Sequence, residues 1–329
     1  MKKHKCDLLV FGETTLDTIS QVKHLPLPEG PAAKINSMEG PKVGGRGANV
    51  GTYAAAFGIG VELLTACGPD YFKQYDALAL KQGVLRDYIH VSECDKDTAQ
   101  ALVFRDASRA VTYFHPGMLY SESYKKHIRE SISALCPKAV YCTSELHGMV
   151  HEVFKQYKGS RIVKAYHPGP EIEHVPVPRL TNILQFCDFL FVNCTEKKAL
   201  ESILDQALWQ IMATHNIRVA VTTFAEAGAV LTTCSNHDIN EVYVPNYPVS
   251  REDYKDSTGA GDALSGAFMG SYLTMATEDP ILALRFGTAV SSLVVETIGC
   301  IVPNLSLSMV QERYNEYCKR YPYPKGKKK

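Results

Sequence analysis

The chain lacks net charge: its 329 residues carry 35 Lys plus Arg against 35 Asp plus Glu. No electrostatic footprint for a polyanion results, which argues against nucleic acid as a partner. It also lacks any apolar run near the roughly 18 residues that span a bilayer, so nothing points to a membrane. Met1-Lys2-Lys3-His4-Lys5 mimics the start of a secretory signal, but the apolar stretch behind it covers only Leu8 to Phe11 before Gly12 and Glu13, and a strand is expected there. Ten cysteines are present, yet no two form a C-x-x-C pair, which removes zinc-ribbon logic. Most sit in apolar surroundings such as Val140-Tyr141-Cys142, as small buried hydrophobes. Reduced thiols in a cytosol are the expectation, because a secreted chain more often carries a disulfide framework. Two common nucleotide-binding signatures are missing as well. G-x-x-x-x-G-K-[ST] occurs nowhere, and a G-x-G-x-x-G beginning at Gly45 fails at Val50.

What is present is an ordinary folded composition, 45% hydrophobic and 21% charged. Short apolar runs recur with helical patterns between them: Leu8 to Phe11, Val61 to Ala66, Ala139 to Thr143, Arg161 to Ala165, Phe189 to Val192 and Val219 to Thr223. Strands alternating with helices predict an α/β unit around a mostly parallel sheet. Two stretches break the rhythm: residues 13–42, rich in Pro and Gly, and residues 98–115, alternating through Leu102, Phe104, Val111 and Tyr113. Both read as a few antiparallel strands forming a small β appendage. With no internal repeat and no linker, the expectation is one domain over residues 1–329 with an inserted lid. The Pro-rich stretches Pro168 to Pro178 and Pro245 to Pro248 read as surface connections, and the basic C-terminal run Lys325 to Lys329 as a solvated tail.

The segment richest in chemistry is Asp256-Ser257-Thr258-Gly259-Ala260-Gly261-Asp262, a loop without bulky side chains that feeds a helix of small residues. Free backbone N–H groups at a helix start, together with the macrodipole, make an anion site, and glycine lets a phosphate approach the backbone. Asp262 at that terminus is placed to accept a proton from an attacking hydroxyl. The plainer alternative is a Gly-rich turn followed by a capping aspartate. A second segment, Val43-Gly44-Gly45-Arg46-Gly47-Ala48-Asn49-Val50, also leads into a small-residue helix, Ala54-Ala55-Ala56.

Together the two segments resemble the signatures of the ribokinase (PfkB) family, GG-x-G-A-N and D-T-x-G-A-G-D. Between them, in the family's order, lie Gly68-Pro69-Asp70, Asn193-Cys194-Thr195-Glu196 and Thr223-Phe224-Ala225-Glu226-Ala227-Gly228, with Gly299-Cys300 after them. The resemblance implies a three-layer α/β sandwich with a mostly parallel central sheet and a small β-strand lid. It also implies transfer of the terminal phosphate of ATP to a hydroxymethyl group on a sugar or nucleoside.

By that resemblance Asp262 is the catalytic base, and the backbone of Gly259, Ala260 and Gly261 is the anion hole. Phosphoryl transfer needs positioning and charge neutralisation more than covalent help, so a base, oriented N–H donors and Mg²⁺ suffice. Asn193 and Glu196 would organise Mg²⁺ and the nucleotide phosphates through water; taken alone, the same pair reads as a helix N-cap with its reciprocal glutamate. Thr223 and Gly228 would face the nucleotide, although Ala225 stands where the family has glycine and alanine resists positive φ. Substrate hydroxyls fall to Asp17, the Gly44-Gly45 backbone, Asn49 and Glu145, the last reading equally well as a loop acid. Asp256 and Thr258 match the family's monovalent cation (K⁺) site. His167, where relatives carry aspartate before proline, reads as a pocket-edge residue rather than a catalytic one.

Gly12 to Asp17, Phe189 to Asn193 and Val294 to Cys300 resemble archaeal nucleoside kinases of the family more than its bacterial ribokinases. A nucleoside is therefore favoured over a free sugar or sugar phosphate. Tyr113 and Phe114 offer aromatic faces for a nucleobase, or packing within the lid. Exposed lid edges suit a homodimer, as in the family. A non-catalytic binding relative would be free to lose the base and its glycines, yet all are present. A nicotinamide-dependent oxidoreductase is opposed by the failed dinucleotide fingerprint.

Overall fold

Each of the six apolar runs becomes a strand of one sheet in the computed structural model, which describes residues 4–25, 30, 32–94, 97–107, 110–144, 148–159, 161–236, 238–275 and 279–323. The chain runs β1 (His4–Phe11), β2 (Thr15–Val22), β3 (Ile35–Gly44), α1 (Arg46–Ala55), β4 (Val61–Cys67), α2 (Pro69–Gln82), the short β5 (Val84–Leu85) and β6 (Ile89–Val91), then β7 (Ala99–Arg105), β8 (Ala110–His115) and α3 (Glu122–Ala134). It continues through β9 (Leu135–Thr143), α4 (Val150–Gln156), β10 (Val163–His167), α5 (Val177–Leu184), β11 (Phe189–Asn193), α6 (Cys194–Leu204), α7 (Leu208–His215) and β12 (Val219–Thr223). The hairpin β13 (Ala229–Ser235) and β14 (Asp238–Val244) follows, then α8 (Ala260–Thr274), α9 (Pro280–Val295) and α10 (Leu307–Arg320).

The central sheet has the order β14-β13-β12-β11-β10-β9-β1-β4, with β5 and β6 each paired to β4. It is parallel from β12 across to β4, and only the β13–β14 hairpin runs antiparallel at its edge. Alternation along the strands splits the core into two faces. Leu9, Phe11, Val140 and Val192 pack against α3, α4, α5 and α7, whereas Leu8, Val10, Tyr141 and Phe191 pack against α1, α2, α8 and α10. Helices on both faces make the three layers and explain why the strands read as continuous apolar runs.

The lid is a separate sheet, β3-β2-β7-β8. Two of its pairings are antiparallel, as expected, but β2 and β7 run parallel. Both strands leave the body in the same direction after separate excursions through it, so a tight hairpin between them is excluded. The stretch expected as a surface connection at Pro168 to Pro178 holds a short 3₁₀ turn, Pro170–His174, whose Ile172 is buried.

Parallel strands bring their C-terminal ends to one edge of the sheet, where α/β folds collect ligands. Here that edge carries Glu13 after β1, Thr143 and Ser144 at the end of β9, His167, Asn193 and Thr223. Two helices complete it. Gly266 and Gly270 of α8 lie so close to the α1 backbone at Val50 and Ala54 that a Cβ at either would collide with it. Small residues therefore set the approach of α1 to α8, and with it the meeting of Asn49 and Asp262.

Candidate active site

The N-cap of α8 is Gly259, at φ 81, with no side-chain capping bond. Asp262 is thus no cap. It lies in the first turn, buried, and accepts a 2.9 Å hydrogen bond from Asn49 Nδ2 across the α1–α8 contact. Burial pushes its carboxyl above the ordinary value and nearby Glu13 adds to this, against the opposing pull of His167, Asn49 and Arg46. A carboxylate whose pKa is raised in this way is a better proton acceptor than an ordinary surface aspartate. Asn49 Oδ1 is buried without a protein partner, leaving an acceptor for a hydroxyl.

Gly259 owes its identity to two constraints. Its backbone is left-handed, and a Cβ there would lie 2.9 Å from that of Cys300. The Ala260 N–H is donated to the Ser257 carbonyl at 3.2 Å. One amide of the anion hole inferred from the sequence, that of Ala260, is thus engaged in the turn. The N–H groups of Gly261 and Asp262, like that of Gly259, stand at the start of α8 where intrahelical acceptors run out.

Asp262 and Gly261 line a cavity of about 460 Å³ together with Asp17, Gly45, Asn49 and Glu196. Lid residues Ala101, Thr112 and Phe114 close its other side. A second cavity, about 640 Å³, lies beyond Gly261 and is walled by Ala225, Gly228, Tyr243, Tyr254 and Leu264. Thr223 and Gly261 belong to both. A molecule in each cavity would meet its neighbour at the start of α8.

Charged groups organise the floor. Arg46 binds Glu13, Glu171 at 2.7 Å and the Ser144 hydroxyl at 2.6 Å. Burial alone would raise the Glu13 carboxyl; Arg46 and the Thr143 hydroxyl hold it below the usual range. Glu196 caps the Asn193 N–H at 2.8 Å while Asn193 Oδ1 accepts from Thr195 and Glu196, a full capping box. His167 Nε2 lies 3.5 Å from Glu196, and its Nδ1 is 3.2 Å from the Tyr141 hydroxyl. Burial would raise the Glu196 carboxyl, but His167 and the Asn193 N–H keep it low. Asp17, by contrast, is raised by burial despite the Thr15 hydroxyl and the Cys300 thiol that donate to it.

The profile of the pfkB family carbohydrate kinases matches residues 5–307. The chain belongs to that family. It is 23% identical to a nucleoside kinase of Methanocaldococcus jannaschii over 96% of this chain and 98% of that one. It is 25% identical to a deoxyribokinase of Salmonella typhi over 81% and 86% of the two chains. Among solved structures, it superposes on the M. jannaschii nucleoside kinase with a TM-score of 0.77, at 23% identity over 96% of this chain and 100% of that one. On Burkholderia thailandensis nucleoside kinase in complex with inosine the TM-score is 0.79, at 18% identity over 94% and 98%. The ribokinase fold is thereby shown, and as a member of the family the protein is a sugar or nucleoside kinase that uses ATP as phosphate donor. Among the described residues no helix is long and apolar enough to cross a membrane.

The kinase brings most of the residues singled out from its sequence to the two cavities. Gly44 is an exception: it lines neither, its carbonyl accepts from the Tyr71 hydroxyl at 3.3 Å, and a Cβ there would collide with the Asp17 carboxylate. Its use is to make room for Asp17. Glu145 lies outside the described residues. Asp256 and Thr258 do not offer an open cation site, because Arg105 of the lid donates to Asp256 Oδ1 at 2.9 Å and to Thr258 Oγ1 at 3.2 Å. Ala225 does adopt the left-handed backbone the family gives to glycine, at φ 50. That conformation costs about 1 kcal/mol for a residue with a Cβ and is held by the Asn246 side-chain amide on its carbonyl. Glu13, Arg46, Glu171 and Arg105 were not foreseen as site residues, since no motif spacing links them.

Proposed function

We propose that this kinase transfers the terminal phosphate of ATP to the hydroxymethyl group of a nucleoside, with Asp262 as base. The observation that carries the chemistry is the position of Gly261 at the junction of the two cavities, with Asp262 next to it in the smaller one. The acceptor occupies the smaller one, its hydroxymethyl oxygen next to Asp262 and its other hydroxyls on Asp17 and Asn49. The nucleotide occupies the larger one and points its terminal phosphate at the start of α8. Asp262 takes the proton from the attacking oxygen as that oxygen bonds to the terminal phosphorus and the bond from phosphorus to the bridging oxygen breaks to release ADP, while the Gly261 and Asp262 amides with the helix dipole hold the charge on the moving phosphoryl group.

The family implies Mg²⁺. Glu196 is a cavity-lining carboxylate held low by His167 and the Asn193 N–H, and among the described residues no cluster of three or more acidic, His or Cys groups could hold a metal. Such a donor set fits an ion that keeps most of its water and takes its other ligands from phosphates. Glu196, with Asn193 behind it, would hold that ion, which supplies neutralisation of charge on the transferring phosphate.

A nucleoside is favoured over a free sugar by Phe114. Cross-strand pairing puts Ala101 opposite Phe114 and Leu102 opposite Tyr113, and sheet alternation sends these pairs to opposite faces. Phe114 faces the acceptor cavity, whereas Tyr113 turns outward against the edge of Phe104. An aromatic face on a closing lid suits a base attached to the sugar, and the nucleoside kinases among the similar proteins point the same way. The test is kcat/KM for inosine, guanosine, cytidine and adenosine beside ribose, fructose and ribose phosphate. A nucleoside should lead, and Phe114→Ala should cost it roughly tenfold or more, the worth of one stacked base, while ribose changes little. If the best sugar exceeds every nucleoside, the acceptor is a carbohydrate and this reading is wrong.

A further inference from the structure

Asp256 is buried at the start of the phosphate loop, and one of its oxygens gathers three donors: the Thr258 N–H at 3.0 Å, the Thr258 hydroxyl at 2.8 Å and Arg105 Nη2 at 2.9 Å. Burial would raise this carboxyl, but Thr258 and Arg105 together hold it below the ordinary range. It is therefore an anion that needs a positive partner in place. The family resemblance supplies a monovalent metal ion for that role. The residues here do not fit one, because the guanidinium already stands against both Asp256 and Thr258.

Arg105 comes from a different part of the fold. It ends β7, where it pairs with Ala110 of β8 and with Gln21 of β2. Strand alternation places it on the same lid face as Val103 and Ala101, the face that carries Phe114 over the acceptor cavity. The ion pair thus ties the lid to the loop that begins α8.

We propose that Arg105 is the resident cation of the phosphate loop: carried on the lid, it takes the position of a monovalent metal ion against Asp256, so the kinase runs without added alkali metal. In this role Arg105 is a positioning residue. It touches neither reacting atom, and it balances Asp256 only while the lid is down, which couples lid closure to the ordering of Thr258, Gly259 and Gly261. The free alkali ion becomes redundant because the guanidinium brings a positive charge with donors for both Asp256 and Thr258.

The inference rests on the kinase reading for its rate measurement alone. The wild type, Arg105→Ala and Arg105→Lys are compared in potassium chloride and in N-methylglucamine chloride at equal ionic strength. Both kcat and the melting temperature of the ligand-free protein are read. The wild type should keep its kcat and Tm in either salt. Arg105→Ala should lose roughly tenfold in kcat without alkali metal, regain most of it in potassium, and show a Tm that potassium raises. Arg105→Lys, which restores the charge, should resemble the wild type. A wild type that needs potassium overturns the proposal, as does an Arg105→Ala enzyme indistinguishable from wild type. So does an Arg105→Ala protein that is slowed but regains neither rate nor Tm in potassium, which would leave Arg105 a structural lid contact. If no acceptor is phosphorylated at all, the kinase reading fails while the Tm comparison still decides the place of Arg105.

Discussion

Replacing Asp262 by asparagine is expected to lower kcat by roughly 10²-fold or more while nucleotide binding stays near normal. Asparagine keeps the volume of the side chain and an oxygen for the Asn49 amide, which now donates at 2.9 Å, so the loss isolates proton acceptance. The wild-type kcat/KM should fall on the acid side at a pH above the 3.8 of an ordinary aspartate, because burial raises this carboxyl. The variant should lose that limb. Stability moves the other way. Between the unfolded and the folded pKa the folded protein binds more protons than the unfolded chain, so stability declines as pH rises through that window and the penalty persists above it. Asp262→Asn removes the buried charge, and its Tm at neutral pH should exceed that of the wild type. A variant with near-normal kcat would sink the assignment of Asp262 as base.

Gly261→Val is expected to be the second most damaging change, costing on the order of 10²- to 10³-fold in kcat, the scale of a lost anion-hole donor. The structure separates two effects that the sequence alone merges. The turn depends on Gly259, whose φ is positive, and not on Gly261, which is the second residue of α8. A Cβ at Gly261 meets no protein atom within 4 Å, so its methyl groups project into the passage shared by the two cavities. The protein should therefore keep its fold and melting behaviour and lose turnover. A folded Gly261→Val enzyme with normal kcat would mean that the phosphate passes elsewhere.

Which parts of this account are legible in the sequence follows from where the causes lie. The parallel strands are legible because helices cover both faces, leaving uninterrupted apolar runs such as Phe189–Asn193. The edge hairpin β13–β14 is not, since Asp238–Val244 is mostly exposed and mixes Asn and Glu with Ile, Val and Tyr. The two glycine-bearing helix starts stand out because close backbone approach demands glycine locally. What they meet does not stand out: the Asn49–Asp262 contact joins residues 213 apart, and the Arg105–Asp256 pair joins residues 151 apart. In the sequence Glu13 only ends the apolar stretch of β1, and it is the register of β1 beside β9 that puts it against Thr143 and Ser144. The parallel pairing of β2 with β7 is equally hidden, because strand direction depends on connections that alternation does not encode.

The central claim is a balanced phosphate transfer onto a hydroxymethyl oxygen, and product analysis tests it most directly. The wild-type enzyme, ATP, Mg²⁺ and the best acceptor of the nucleoside and sugar panel are followed by phosphorus NMR. The account predicts one ADP formed per acceptor consumed, with the new phosphate ester on the hydroxymethyl oxygen, and no such product with Asp262→Asn over the same time. ADP and free phosphate without an acceptor ester, or an ester formed at the wild-type rate by Asp262→Asn, would contradict it.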